Sequence, residues 1–394
     1  MRTARPRTVM LDLFFVAGEE SGDHLGAALM RALRERAREE LRFAGVGGRE
    51  MTTEGIASLH PIDNLSIIGF GSIPQRLPRV LRLVRSTAKE VIARRPHALI
   101  IVDSPGFTHP IARRVRAAAP DIPIVDYVSP SVWAWRPGRA KAMRAYVDHV
   151  LAVMPFEPEV HRQLGGPPCT YVGHPLAERA PRLRPNAEEA RRRLASPPVL
   201  LVLPGSRTGE IRSLFGIFSA AVSKIRDRLG ELEVIIPTVP ALAETVRQAS
   251  AQWTPPPRIV VEPAEKEAAF RIARAALTKS GTVTLELALA GVPMAVAYKI
   301  SRLEYITVGR AIEKRLSSIT LANLFLGENV VPELLQHRCT PIGLADAMVP
   351  LIEDTPERHR QIEAFARLDA IMRTGSTMPA ARAADTVLQL LGCG

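Results

Sequence analysis

Val199-Leu200-Leu201-Val202-Leu203-Pro204-Gly205-Ser206-Arg207-Thr208-Gly209-Glu210-Ile211 decides how the chain is read. Five consecutive aliphatic residues form a run too short for a buried helix and apolar on both faces, as in a parallel strand covered on both sides. A Pro-Gly turn follows, and then Ile211, Leu214 and Phe215 recur at helical spacing. A strand, a glycine-bearing turn and an amphipathic helix make the opening of a Rossmann-like domain. Because the unit starts near the middle of a 394-residue chain, a second domain is expected ahead of it.

Outward from that stretch the same alternation repeats. Residues 11–16, 98–102, 123–128 and 149–154 read as buried strands in the first half, and 199–203, 234–237, 258–261, 275–278 and 294–298 in the second. Between the halves, about 177–198 is polar, proline-bearing and basic. The expected organisation is a first Rossmann-like domain over 1–180, a linker over 181–198 and a second domain over 199–350. A helical tail over 351–394 is expected to return to the first domain. The fold class is α/β, with two doubly wound parallel sheets.

Composition narrows the function. Hydrophobic residues make up 46% of the chain, enough for two ordinary cores. Cys169, Cys339 and Cys393 lie far apart with no C-x-x-C spacing, so neither a disulfide framework nor a zinc site is expected, and a reducing cytoplasm fits. No run approaches the ~20 apolar residues of a membrane span. The first residues read as an opening strand rather than a secretion signal. A net charge of +12 attracts nucleic acid, anionic lipid or phosphorylated substrates alike. Aromatics at 5% supply a poor stacking platform, which argues against single-stranded nucleic acid.

Ligands of open parallel sheets bind beyond the carboxyl ends of strands, so the residues there are the candidates. Ala17-Gly18-Glu19-Glu20-Ser21-Gly22-Asp23 follows the first strand. It reads either as an anion-ready turn, with Ser21 or Asp23 capping a helix near Leu25, or as a plain tight turn. Asp103 follows the run 98–102 and is either a general base or the cap of the next turn. Trp133 and Trp135 stand two apart in a loop, suited to sugar or acyl contact or to packing between domains. In the second half, Gly205, Ser206 and Arg207 can take a phosphate through backbone N–H groups and a guanidinium fork. Ser280, Gly281 and Thr282 open another helix, either as a diphosphate seat or as a plain helix cap, with Glu286 one turn in. Neither loop is a Walker or nucleophile-elbow sequence. Two anion-ready loops in one domain point to a nucleotide diphosphate, and the absence of D-x-D points to a transferase needing neither metal ligands nor a cofactor.

Nine motifs share an order and spacing with a known family. They are V-A-G-E-E-S-G-D, I-I-V-D-S-P-G-F, Y-V-S-P-S-V-W-A-W-R, P-F-E, V-G-H-P-L, L-P-G-S-R-T-G-E-I, K-S-G-T-V-T-L-E-L, A-N-L-F-L-G and V-V-P-E-L-L-Q, spread over about 14–336. On these the chain resembles the lipid-A-disaccharide synthases, glycosyltransferases of the GT-B architecture, in which two Rossmann-like domains face across a cleft. The resemblance implies an inverting transfer of 2,3-diacylglucosamine from UDP to the 6-hydroxyl of 2,3-diacylglucosamine 1-phosphate. The products would be a β-1,6-linked disaccharide 1-phosphate and UDP. It further implies Asp103 as base with Glu19 in support. Gly205, Ser206, Arg207, Ser280, Gly281, Thr282, Glu286 and Asn323 would hold UDP, and Ser21, Trp133 and Trp135 would contact the acceptor or its acyl chains. Glu20, Gly106 and Glu178 depart from the residues usual in the family.

A diacylated substrate gives the basic charge a purpose. Ile67, Ile68, Phe70 and Ile73 interleave with Arg76 and Arg79 in the stripe 66–85. This stripe reads either as a face for the anionic inner membrane on its cytoplasmic side or as a core-facing helix with solvated arginines. A homodimer remains open. Competing readings are another GT-B enzyme acting on UDP-N-acetylglucosamine and a non-enzymatic basic module; the first shares the UDP loops but not the aromatic motif.

Overall fold

The computed structural model describes residues 10–62, 73–300, 317–373, 375 and 377–393. The chain divides into two compact units, Met1–Pro175 with Arg373–Gly394, and Leu176–Met372.

Unit 1 is built on six parallel strands: β1 (Met10–Ala17), β2 (Glu40–Val46), β3 (Ala98–Val102), β4 (Ile124–Tyr127), β5 (His149–Ala152) and β6 (Cys169–Tyr171). Their order in the sheet is β2-β1-β3-β4-β5-β6. The pleat sorts β1 cleanly: Leu13 and Phe15 join the core on one face, Phe14 and Val16 that on the other. Each such side chain contributes about 1.5–3 kcal/mol by leaving water. Unit 2 carries β7 (Val199–Leu203), β8 (Glu233–Pro237), β9 (Arg258–Val260), β10 (Ala275–Lys279), β11 (Met294–Tyr298) and β12 (Glu333–Leu335). Its order, β12-β11-β10-β7-β8-β9, is that of a Rossmann sheet. In each sheet the strand order reverses once at a point flanked by two strands leading away, between β1 and β3 in unit 1 and between β7 and β10 in unit 2. These switch points are where such sheets take ligands.

The stretch expected as a linker is part of unit 2. It holds the helices Ala180–Leu183 and Ala187–Leu194, the second started by a capping box between Asn186 and Glu189. Within this basic run Arg193 is 9% exposed. Its guanidinium donates to the carbonyls of Phe270, Arg271, Ala290 and Gly291. A basic run is therefore structural here because one arginine satisfies four buried acceptors.

The tail is divided too. The helix Pro356–Arg373 belongs mainly to unit 2, where the Gln361 amide bonds both the N–H and C=O of Met294. The helix Pro379–Leu390 lies in unit 1, where Ala383, Ala384, Val387 and Leu388 enter the core and Asp385 pairs with Arg36.

Of the expected membrane stripe, Ile67, Ile68 and Phe70 lie outside the described residues, as do the side chains of Ile73 and Arg76. Within the helix Ile73–Arg94 that follows, Val84, Ala88 and Val91 are core, with Val80 and Leu83 packed on them, while Arg79, Arg82 and Arg85 are exposed. The later part of the stripe is thus the core-facing side of a helix. Among the described residues no helix is long and apolar enough to cross a membrane.

Candidate active site

At the unit 1 switch point, Ala17 of β1 is level with Val102 of β3, so the loops after both strands emerge together. Asp103 and Ser104 both take left-handed backbone, at φ 53° and 46°. Two successive non-glycine residues held there are strained, and surrounding bonds fix them. The Asp103 N–H donates to Tyr127 O at 2.9 Å, and its carbonyl accepts from Thr108 Oγ1 at 2.8 Å. The turn presents the half-buried carboxylate, which accepts from Ser21 Oγ at 3.0 Å and from the Ser104 N–H at 2.7 Å. Gly18 lets the two loops touch, since a Cβ there would lie 2.8 Å from Ser104 Cβ.

Neighbouring expectations change. The first helix begins at Glu20, with Glu19 exposed at its N-cap and no side-chain cap. Asp23 lies inside that helix, 2% exposed, and caps a different one: its carboxylate accepts from the N–H groups of Gly48, Glu50 and Met51. Ser21, rather than Glu19, is the hydrogen-bond partner of Asp103.

The aromatic loop after β4 turns through Val128 at φ 81°, a conformation β-branched residues rarely take. Trp133 packs edge-on against Phe156, with ring centroids 5.4 Å apart, whereas Trp135 is 41% exposed under the Arg136 guanidinium. Only Trp135 of the pair offers a free face. Beneath the loop, Ser129 Oγ bonds His161 Nε2 at 2.8 Å, and Glu157 is buried. Burial pushes the Glu157 carboxyl up to about 8, against the pull of the Met154 N–H at 3.1 Å. The native chain therefore keeps a proton that the unfolded chain, near its ordinary 4.5, has lost. That contribution is complete below pH 4.5 and is lost as pH rises through about 8. Glu157→Gln is expected to unfold at higher denaturant than wild type at pH 8, its advantage growing by about 1.4 kcal/mol per pH unit across that window. Denaturation at pH 5 and pH 8 measures it; an advantage equal at both would refute the assignment.

At the unit 2 switch point, Leu203 of β7 is level with Thr278 of β10. The loops beyond them line a cavity of about 420 Å³, with Gly205, Ser206, Arg207, Glu210, Thr238, Lys266, Lys279, Ser280, Gly281 and Thr282 among its walls. That volume suits a small-molecule ligand. Both helices opening on it, Thr208–Leu229 and Val283–Leu289, start without a side-chain cap, which leaves N–H donors and a positive dipole end facing the cavity. Arg207 is 83% exposed, and among the described residues it pairs with Glu210 at 3.7 Å. Lys279 Nζ donates to Glu210 at 2.8 Å. Burial works to raise the Glu210 carboxyl, but the Lys279 bond and charge, the Ser206 N–H and Arg207 hold it below the usual range. Thr238 Oγ1, on the cavity wall, is buried without a hydrogen-bond partner among the described residues.

Two further residues expected at UDP are not themselves among these walls, although Glu286 bonds one of them. Glu286 is 7% exposed and accepts from Arg179 at 3.0 Å and Lys266 at 2.8 Å. The Asn323 amide accepts from the N–H groups of Val330 and Val331 and donates to Val331 O and Glu333. With donors and acceptor so engaged, Asn323 holds the segment leading into β12. Conversely, Lys266, Lys279, Glu210 and Thr238 were not picked out by the sequence. Lys279 and Glu210 lie inside quoted motifs, but Thr238 directly follows β8 and Lys266 stands in the helix Pro263–Ile272, and neither carried a local signal.

The model of the family described as lipid-A-disaccharide synthetase matches residues 13–385. A lipid-A-disaccharide synthase of Nitrobacter hamburgensis is 58% identical over 379 residues, covering 96% of this chain and 95% of its own length. The chain belongs to the lipid-A-disaccharide synthase family. It is thus a glycosyltransferase forming the disaccharide of lipid A. Members extend further, with a Bradyrhizobium diazoefficiens synthase at 56% identity over 97% of each chain. The fold alone reaches wider. The S. aureus MnaA–UDP co-structure aligns with a TM-score of 0.64 at 12% identity over 98% of both chains. MurG of Acinetobacter baumannii aligns at 0.55 and 16% identity, over 98% of this chain and 99% of that one. The two parallel-sheet α/β domains are accordingly those of the GT-B glycosyltransferases.

Proposed function

We propose that this family member makes the disaccharide by inverting transfer, with the donor's UDP in the unit 2 cavity and Asp103 of unit 1 as base. The 6-hydroxyl oxygen of 2,3-diacylglucosamine 1-phosphate attacks the anomeric carbon of UDP-2,3-diacylglucosamine. The bond from that carbon to the diphosphate breaks, the hydroxyl proton passes to Asp103, and UDP leaves. Ser21, bonded to Asp103 Oδ2, orients the carboxylate toward the hydroxyl. Arg207, Lys279 and the N–H groups at Ser206 and Gly281–Thr282 offset the charge that builds on the departing diphosphate. Glu19 and Trp135, both exposed, are the groups offered to the acceptor and its chains.

The observation carrying this reading is the convergence of Ser206, Arg207, Lys279 and two uncapped helix starts on one cavity at the strand-order switch point. The UDP in the MnaA co-structure supports it from a shared fold. The test is UDP release from the acylated donor and acceptor in detergent with EDTA. Turnover is expected; turnover of a non-acylated UDP-sugar instead would sink the assignment. In a second arm, vesicles of anionic lipid replace detergent. A chain working peripherally at the cytoplasmic face of the inner membrane, through residues 66–79 and the exposed arginines of Ile73–Arg94, should sediment with them at low salt. Charge reversal at Arg79, Arg82 and Arg85 that leaves sedimentation unchanged would dismiss that surface.

A further inference from the structure

The cradle assigned above to the diphosphate already holds an anion, and that anion is a side chain of the protein. Glu210 Oε2 accepts the Ser206 N–H at 3.0 Å. Its other oxygen accepts from Lys279 Nζ at 2.8 Å and lies 3.7 Å from Arg207 Nη1. Gly205, at φ +125°, makes room for it, since a Cβ there would sit 2.2 Å from Glu210 Oε2. A peptide N–H, an ammonium and a guanidinium converging on one oxyanion are the donors a phosphate would draw. The carboxylate also reaches back over the first turn of Thr208–Leu229, whose N-cap residue Arg207 makes no side-chain cap, so it lies at the positive end of the helix.

We propose that Glu210 is an internal counter-anion of the diphosphate subsite, displaced from Ser206 and Lys279 when a nucleoside diphosphate enters. The inference rests on the reading of this cavity as the diphosphate site and assigns a further residue that sets its affinity. Exchange of one anion for another keeps the largely buried Lys279 ammonium from standing without a partner between turnovers. It also weakens the hold on product, because UDP must compete with a carboxylate tethered beside its site. Release of product limits many transferases, so a cradle that supplies its own replacement anion favours turnover.

The experiment is calorimetric titration of UDP and of uridine into wild type, Glu210→Gln and Glu210→Ala, with melting temperature recorded for each. Gln keeps the shape and an acceptor for the Ser206 N–H while removing the charge; Ala removes both. Both variants are expected to bind UDP about tenfold more tightly than wild type. Uridine, which lacks phosphate, should bind all three alike. UDP affinity unchanged or weaker in both variants overturns the proposal, and a lowered melting temperature beside it would mark the contact as a helix cap only. A wild type that binds uridine and UDP equally well overturns the diphosphate reading itself, and the inference with it.

Discussion

Replacing Asp103 is expected to lower turnover by about 10²-fold or more while leaving UDP affinity near that of wild type. The carboxylate stands at the strand-order switch point of unit 1, whereas the groups assigned to UDP all belong to unit 2. Its loss should therefore appear in kcat and not in donor binding. The choice of variant matters. Asp103 sits at φ 53°, which Ala tolerates poorly and Asn well, so Asp103→Ala confounds lost chemistry with backbone strain. Asp103→Asn keeps an oxygen for Ser21 or the Ser104 N–H and removes the basicity. Single-turnover kinetics of the Asn variant is the decisive measurement, and activity within a few-fold of wild type would remove Asp103 from the role of base.

Arg207→Ala should weaken UDP binding by about 10- to 100-fold, the range of one charge-assisted hydrogen bond to an ion. Stability should not change, because the guanidinium is 83% exposed and its ion pair among the described residues, to Glu210, is 3.7 Å long. Arg207→Lys should recover only part of the affinity, since an ammonium keeps the charge but not the planar fork. Isothermal titration of the three proteins beside their melting curves separates these effects. A fall in melting temperature with unaltered UDP affinity would make Arg207 a structural residue.

Parts of the fold were legible for a physical reason. Strands buried on both faces, such as β3, β7 and β11, are unbroken apolar runs, and their reading matches the structure within a residue or so. The strands missed are edges. β2 is Glu-Leu-Arg-Phe-Ala-Gly-Val, with its first residues partly or fully exposed, and β6 and β12 have only three partly buried residues each. An edge strand is held by one neighbour's hydrogen bonds, and backbone bonding leaves little mark in side-chain pattern. The misread linker has a related cause: nothing in A-R-R-R-L distinguishes the arginine that satisfies buried carbonyls from its two neighbours.

The site divides along the same line. Loops directly after buried strands, around Asp103, Ser206 and Gly281, could be found because strand position gives them away. What the sequence could not supply is which neighbours satisfy one another. Asp23, read as a cap for its own helix, spends its carboxylate on the N–H groups that open another, and the Asn323 amide oxygen accepts from the N–H groups of Val330 and Val331. Lys266 reaches the cavity wall from the helix Pro263–Ile272, which follows β9, a matter of topology rather than motif.

The helix Pro379–Leu390 puts the last part of the chain into the core of the first unit. During synthesis the ribosome delivers all of unit 2 before that helix emerges, so the unit whose residues come first is the one finished last. Until then the surface of the helix Glu20–Arg36 that receives Ala383, Ala384 and Val387 stands open to water. A premature stop that spares every residue of the unit 2 cavity would still strip apolar contacts from the unit bearing Asp103. Loss of residues 379–390 would thus be felt first in the unit built mainly from residues 1–175.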